Sequence, residues 1–403
     1  MYKFVIEILS FLIVRKKDRI YFRQKCLQGA EKSVTWQSVL CLFLLSVTGE
    51  RAVEDDQVPK IFQKITLARL NSTNFNVRYL FNGLLFPYTY FRRAKYVLRW
   101  GSSPVRDQFL CALSAFKFVP VVRAEDGFLR SADTWCNTQV AQQYTRGISF
   151  TFSNDVHYFD ATRSSFMERR LEDKKLVLSA EQLVRARRCI DFITKHCLTK
   201  YNHQPIYSPS IGSAGHPKVL VVDQSYGDFS IAKGLANENT FREMLQTAIR
   251  ENPTADIIIK THPDTLASGS QRKRGYYGGC QQKGNVYTFT TPINPIALLK
   301  TCDKVYVCST QLGFEALLCG KEVHVFGMPF YAGWGLTVDS LTCPRRTTRR
   351  SLEEVFYIAY ILCSYYVNPE TGQRCEIEEA MSYLLKLRKQ YFREFGVRCD
   401  LNI

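Results

Sequence analysis

Asp256-Ile257-Ile258-Ile259-Lys260, followed at once by Thr261-His262-Pro263-Asp264, is the stretch on which the fold turns. A strand with one wet face would alternate apolar and polar residues. An unbroken isoleucine run instead fits a strand buried on both faces, as in a parallel sheet. Residues 219–222 (Val-Leu-Val-Val) have the same character. Between these runs, Phe241, Leu245, Ala248 and Ile249 share one face of a helix expected over residues 240–251, and Asn252-Pro253 stops it. Downstream the alternation continues. Strands are expected over 286–290, 305–308 and 323–326, with helices over 295–301 and 311–319, the latter ending at Gly320. Strands and helices joined by short loops predict a doubly wound parallel sheet.

Open α/β sheets bind ligands outside the carboxyl ends of their strands. That edge is expected to carry Asp223-Gln224, then Lys260 with Thr261-His262-Pro263, then Ser309-Thr310. A helix opening at Ser309-Thr310 would offer free N–H groups to a phosphate, although the pair also reads as an ordinary cap. His262 alone reads equally as a structural histidine.

The upstream half is less regular. Residues 96–101 read as a strand entering a turn at Gly101, 107–117 as a helix, and 118–122 as a strand delivering Glu125-Asp126-Gly127 to a loop. Glycine there would let the chain turn sharply. A carboxylate at such a point can serve as base or nucleophile, while Asp-Gly is also a common surface turn. A charged helix is expected over 180–195. Pro205, Pro209, Gly212, Gly215 and Pro217 mark 203–217 as a linker, and 351–363 and 376–395 as closing helices follow. The domains so predicted are 1–202, 218–345 and 346–403 around that linker, with residues 1–90 mixed in character.

The chain has 403 residues, enough for two full cores, and its composition is globular: 46% apolar and 23% charged. No solenoid repeat is visible. The net charge of +17 favours an anionic partner. Basic residues are spread, and no aromatic-basic RNA motif occurs, which speaks against nucleic acid. The 14 cysteines form no CxxC pair. Cys308 and Cys319 lie in apolar runs and read as core residues, so a reducing cytoplasm is expected. The apolar stretches 4–14 and 39–47 fall short of the ~20 residues a spanning helix needs.

Several strings share their order with a known family. Glu125-Asp126-Gly127-Phe128-Leu129-Arg130-Ser131, Lys200-Tyr201-Asn202, Asp223-Gln224 with Gly227-Asp228, Lys260-Thr261-His262-Pro263-Asp264 and Lys273-Arg274-Gly275 come first. Thr310-Gln311-Leu312-Gly313-Phe314-Glu315-Ala316-Leu317 and Pro329-Phe330-Tyr331-Ala332-Gly333-Trp334-Gly335-Leu336-Thr337 complete the set. Together they resemble the capsule polysaccharide biosynthesis family of bacterial β-Kdo transferases, of the KpsC/LipA type, over roughly residues 95–345.

The resemblance implies two Rossmann-like lobes of the GT-B kind with closing helices, and a cytoplasmic enzyme, peripheral on the inner membrane face. It implies CMP-Kdo as donor, a lipid-linked Kdo oligosaccharide as acceptor, and a place beside capsule export machinery. Two-module members carry the motif set twice. Here each motif occurs once, so one catalytic module is expected.

The residues implied are Asp126 and Glu125 for catalysis, and Lys200, Gln224, Lys260, His262, Pro263, Ser309, Thr310 and Glu315 for the donor. Arg130 either pairs with the Kdo carboxylate or neutralises the acidic segment. The resemblance implies retention through a covalent intermediate on Asp126, whereas the residues alone also allow direct inversion. No Asp-x-Asp occurs, the 6 histidines are dispersed, and a CMP-sugar carries one phosphate, so neither metal nor cofactor is expected. Two other readings compete: a sialyltransferase-like enzyme using another CMP-activated acid, and a non-catalytic export component.

Overall fold

The computed structural model describes residues 97–100, 121–135, 137–261, 275–278 and 284–400. Outside them lie the apolar stretches 4–14 and 39–47, the helix expected over 107–117, His262, Pro263 and the basic segment 271–274. The chain divides into two compact units. One comprises residues 1–125 and 152–155, the other 126–151 and 156–403.

In the first unit, β1 (Val97–Trp100) pairs in parallel with β2 (Val121–Asp126), Val97 opposite Val121. The strand therefore runs through Glu125 and Asp126, which close β2 and do not sit on a loop beyond it. Arg123 Nη1 donates to the Asn154 carbonyl at 3.2 Å.

The second unit opens with α1 (Gln142–Thr145), the first three residues of β3 (Ser149–Ser153), α2 (Phe166–Glu172) and α3 (Ala180–His196). A capping box between Ser179 and Gln182 starts α3, and Cys197 in the left-handed region (φ 51°) ends it.

Next comes the predicted alternation with two elements not foreseen, α4 and β9: β4 (Lys218–Val222), α4 (Phe229–Lys233), α5 (Glu238–Glu251), β5 (Asp256–Lys260), β6 (Val286–Phe289), α6 (Pro295–Leu299), β7 (Lys304–Val307), α7 (Leu312–Leu318), β8 (Glu322–Val325) and β9 (Val338–Asp339). These strands form a six-stranded sheet, β6-β5-β4-β7-β8-β9, with every neighbour parallel. The order reverses between β4 and β7, which is the doubly wound arrangement with its switch point there. Ile257, Ile258 and Ile259 are all fully buried, as their run required. Val219, Val221, Ile257 and Ile259 pack with Phe241, Met244 and Ala248 of α5. That helix begins two residues before the predicted start, because Asn237 and Thr240 form a capping box.

The C-terminal region departs from the expected pair of helices. After α8 (Leu352–Phe356) the chain makes a π-helical turn over Tyr357–Leu362 and becomes β10 (Ser364–Val367). β10 pairs antiparallel with β3 and with β11 (Arg374–Cys375), before α9 (Ile377–Phe395). No proline or glycine separates helix from strand, and the partner of β10 lies more than two hundred residues upstream. Neither signal is local.

In the arginine-rich segment 345–350, Arg346 and Arg350 are buried, whereas Arg345, Thr347 and Arg349 are exposed. Arg346 is 8% exposed and bonds Glu168 and the carbonyls of Pro329 and Ala332. Arg345 joins it on Glu168, and Arg350 bonds the carbonyls of Leu171, Asp173 and Leu176. Three guanidiniums thus tie this segment to α2 and to the residues just after it. Among the described residues no helix is long and apolar enough to cross a membrane. Cys308 is fully buried as expected, while Cys319, just past α7, is only half-buried.

Candidate functional site

The carboxyl ends of β4, β5 and β7 border a cleft of about 220 Å³ in the second unit. Asp223, Lys260, Thr261 and Thr310 line it from the sheet edge. Gln311, Leu312 and Glu315 line it from the start of α7, and Thr199, Lys200, Tyr201, His203 and Gln204 from the segment after α3. Of the residues singled out by sequence, the cleft therefore gathers Lys200, Lys260, Thr310 and Glu315.

Glu315 is 4% exposed. Its carboxylate accepts from Thr199 Oγ1 at 2.5 Å and from Gln311 Nε2 at 3.2 Å. Both donors are neutral, and burial pushes the carboxyl up to about 7. Lys260 is displaced the other way. Burial lowers its ammonium to about 8. Its Nζ donates to the Thr291 carbonyl at 3.2 Å and lies 5.3 Å from the Phe289 ring centroid. An anion bound beside it would favour the charged form further and offset that burial cost.

Gln224 and Ser309 take a different place. They bond each other: Gln224 Nε2 donates to Ser309 Oγ at 3.2 Å, and the Ser309 N–H donates to Gln224 Oε1 at 3.0 Å. Both are buried, and the pair cross-links β4 to β7 at the switch point. The Ser309 amide expected to be free for a phosphate is thus already bonded, and α7 starts at Leu312, not at Ser309. Asp223 accepts from the backbone N–H groups of Gln224 and Tyr276, at 2.9 and 2.8 Å. A Cβ on Gly275 would fall 1.9 Å from Asp223 Oδ2, so this carboxylate needs glycine there.

Asp126 forms a separate corner of the same unit. It is 8% exposed, and its Oδ1 lies 2.8 Å from Arg130 Nε. Arg130 Nη1 also donates to Ser131 Oγ and to the Thr145 carbonyl, at 2.9 and 2.7 Å. Of the two roles expected for Arg130, the ion pair within the acidic segment is the one its geometry displays.

Gly127 is not in the left-handed region, so a sharp turn is not its purpose. A Cβ there would lie 2.4 Å from Ser149 Oγ and 2.9 Å from Phe150 N: close packing on β3 excludes a side chain. Its N–H donates to the Ser149 carbonyl at 2.9 Å. Glu125, in the first unit, is half-buried.

Two motifs far apart in sequence meet here. The N–H groups of Arg130 and Ser131 both donate to the Lys200 carbonyl, and Asn202 Nδ2 donates to the Ser131 carbonyl at 3.0 Å. Gln311 extends the link, with Nε2 bonding the Phe128 carbonyl at 3.0 Å as well as Glu315. The residues after Asp126 are thereby joined to the cleft wall. Thr199, Gln311, His203 and Trp135 were not singled out from sequence as site residues. Gln311 lay within a recognised string, whereas no periodicity or spacing marks the other three.

The sequence profile described as "Capsule polysaccharide biosynthesis protein" matches residues 208–370. The capsule polysaccharide modification protein LipA of Neisseria meningitidis serogroup A is 38% identical over 311 residues, 74% of this chain and 42% of its own length. The lipopolysaccharide-processing protein LpsZ of Rhizobium meliloti is 36% identical over 71% of this chain and 62% of its length. The chain thus spans about half the length of these curated relatives. Among solved structures, the β-Kdo 2,4 transferase of Thermosulfurimonas dismutans KpsC is 37% identical, with a TM-score of 0.64, over 72% of this chain and 87% of that one. The β-Kdo 2,7 transferase of the same protein is 28% identical, with a TM-score of 0.54.

Proposed function

The chain belongs to the capsule polysaccharide biosynthesis family, of the KpsC/LipA type, and on that premise we propose that it is a glycosyltransferase moving Kdo from CMP-Kdo to a lipid-linked, Kdo-containing acceptor. The observation that carries this reading is the cleft at the carboxyl ends of a doubly wound sheet. It belongs to a chain 37% identical to a solved β-Kdo 2,4 transferase. The proposal includes a GT-B arrangement, with the second unit's sheet as the nucleotide-binding part.

In the proposed reaction, the Asp126 carboxylate attacks the anomeric carbon of Kdo while the bond to the CMP phosphate breaks. CMP leaves with the electron pair. The acceptor hydroxyl then displaces the Asp126 ester, loses its proton to a base, and retains the anomeric configuration. The Arg130 ion pair keeps one carboxylate oxygen fixed, which orients the other. Lys260 and Lys200 supply positive charge where the phosphate departs. Thr310 and Glu315 face the nucleotide. His262 and Pro263, beyond the described residues, are proposed on the same edge from their place after β5. Glu125 tunes its neighbour. Gln224 and Ser309 hold the switch point open rather than touch the donor. The work is proposed to take place on the inner membrane face, where a lipid-linked acceptor would lie, beside the export machinery.

The test is incubation with CMP-Kdo and a Kdo-terminated glycolipid, followed by linkage analysis, with CMP-sialic acid run in parallel. A β-linked Kdo added to the glycolipid is expected. Turnover of CMP-sialic acid alone would transfer the reading to the sialyltransferase-like class, and release of no CMP from either donor would leave the family's export role instead.

A further inference from the structure

The mouth of the cleft carries Trp135, which lines it and is 60% exposed. An indole exposed to this degree at a cavity rim gains little from packing in the free protein. Its broad apolar face is suited to a flat or ring-shaped ligand. The backbone beneath it is firmly held. Asp133, 2% exposed, accepts from the Thr134 N–H at 2.6 Å, from Asn137 Nδ2 at 2.7 Å and from Tyr391 Oη, on α9, at 2.8 Å. The same carboxylate faces Nδ1 of His203 at 3.5 Å, and His203 also lines the cleft. One buried aspartate therefore holds the backbone just before Trp135 and faces His203, two cleft-lining residues contributed by separate stretches of chain.

We infer that Trp135 and His203 form the subsite for a pyranose ring of the acceptor, with Trp135 stacking on the ring's apolar face and His203 bonding one of its hydroxyls. The class of ligand rests on the glycosyltransferase reading above. The assignment to acceptor rather than nucleotide follows from placement. Asp223, Lys260 and Thr310 occupy the strand ends where open α/β sheets hold nucleotides. Trp135 and His203 belong to the segments that follow β2 and α3. A ring still largely in solvent suits a ligand that continues outward, as an oligosaccharide chain does.

Trp135→Ala and Trp135→Phe test this in the full chain. The indole is exposed, so neither change should lower the melting temperature. Trp135→Ala should raise KM for a Kdo-terminated glycolipid roughly 5- to 10-fold, the size of an aromatic stacking contact. KM for CMP-Kdo should stay unchanged, and Phe should restore most of the loss. His203→Gln, which keeps a hydrogen-bonding head, should stay closer to wild type than His203→Ala.

A second measurement needs no turnover. A soluble β-linked Kdo oligosaccharide, titrated without donor, should quench tryptophan fluorescence in the wild type and not in Trp135→Phe. Failure of CMP-Kdo as donor would thus leave this measurement standing. A rise in KM for CMP-Kdo with acceptor KM unchanged would give the indole to the cytosine base and overturn the inference, as would absence of a Trp135-dependent quench.

Discussion

Asp126 and Glu315 are both carboxylates buried to within a tenth of completeness, at 8% and 4% exposure, yet their surroundings are opposites. Asp126 has a guanidinium 2.8 Å away, itself anchored on Ser131 and Thr145. Glu315 has a hydroxyl, a side-chain amide and the Lys200 backbone N–H as donors, with the Lys200 charge acting from further off, and burial outweighs them to raise its carboxyl to about 7. Burial alone therefore does not say what a carboxylate is for. Asp126 stands against a countercharge, whereas the donors around Glu315 do not outweigh the cost of burying its charge, which favours its neutral form.

The largest expected effect separates the two by chemistry. Asp126→Asn keeps the shape and removes the nucleophile, so CMP release from CMP-Kdo with acceptor present should fall about 10³- to 10⁴-fold, as for other central catalytic carboxylates. CMP affinity, measured by calorimetry, should be retained, because the cleft residues are untouched. Near-normal turnover would place the chemistry elsewhere.

Next in size is the ion pair itself. Arg130→Met leaves a buried carboxylate without its countercharge and should destabilise the fold by about 3–5 kcal/mol in urea unfolding. Combining it with Asp126→Asn should recover much of that, since the two groups are coupled. Simple additivity of the two changes would mean that the pair contributes nothing jointly.

Glu315 should show itself in the pH dependence of stability. The folded carboxyl titrates near 7 and the unfolded one near 4.5, so the folded state holds more protons between these values. The stability this group contributes is complete below 4.5 and is lost as pH rises through 7. Glu315→Gln has no such loss. Its stability relative to wild type should therefore rise between pH 4.5 and 8, by on the order of 3 kcal/mol. Parallel curves for the two proteins would show that Glu315 is an ordinary ionised carboxylate, and the contrast with Asp126 would collapse.

The smallest effect concerns the corner that holds Asp126. Gly127→Ala places a methyl 2.4 Å from Ser149 Oγ and should destabilise the protein by about 1–2 kcal/mol. Trimming the partner with Ser149→Ala should relieve only part of this, because Phe150 N is also within 2.9 Å. Full relief would show that the serine side chain alone sets the limit.

Legibility differed sharply along the chain. In residues 218–326 the apolar runs were short, uninterrupted and punctuated by caps, so every strand and all helices but the short α4 could be placed to within a residue or two from local pattern. The carboxyl-end residues followed from the topology, and Lys260, Thr310 and Glu315 do line one cleft. Gln224 and Ser309 were placed on the right edge but turn out to bond each other, because pattern locates a residue on an edge without saying which neighbour claims its polar atoms. β10 was missed for a related reason: its partner β3 is remote in sequence, and strand pairing of that kind leaves no local mark.

By itself, then, the order of residues determined the alternation of elements, the parallel character of the sheet and the edge on which polar groups would collect, since burial on both faces and capping act over a few residues. Tertiary structure alone decided that Arg130 belongs to Asp126, that Arg345, Arg346 and Arg350 bond α2 and the residues after it, that Gly127 is there for Ser149, and that Asp133 holds the backbone before Trp135 and faces His203. Each of these depends on groups brought together from distant parts of the chain, and the strength of a charge or a hydrogen bond depends on what stands within a few ångströms of it once water has been removed.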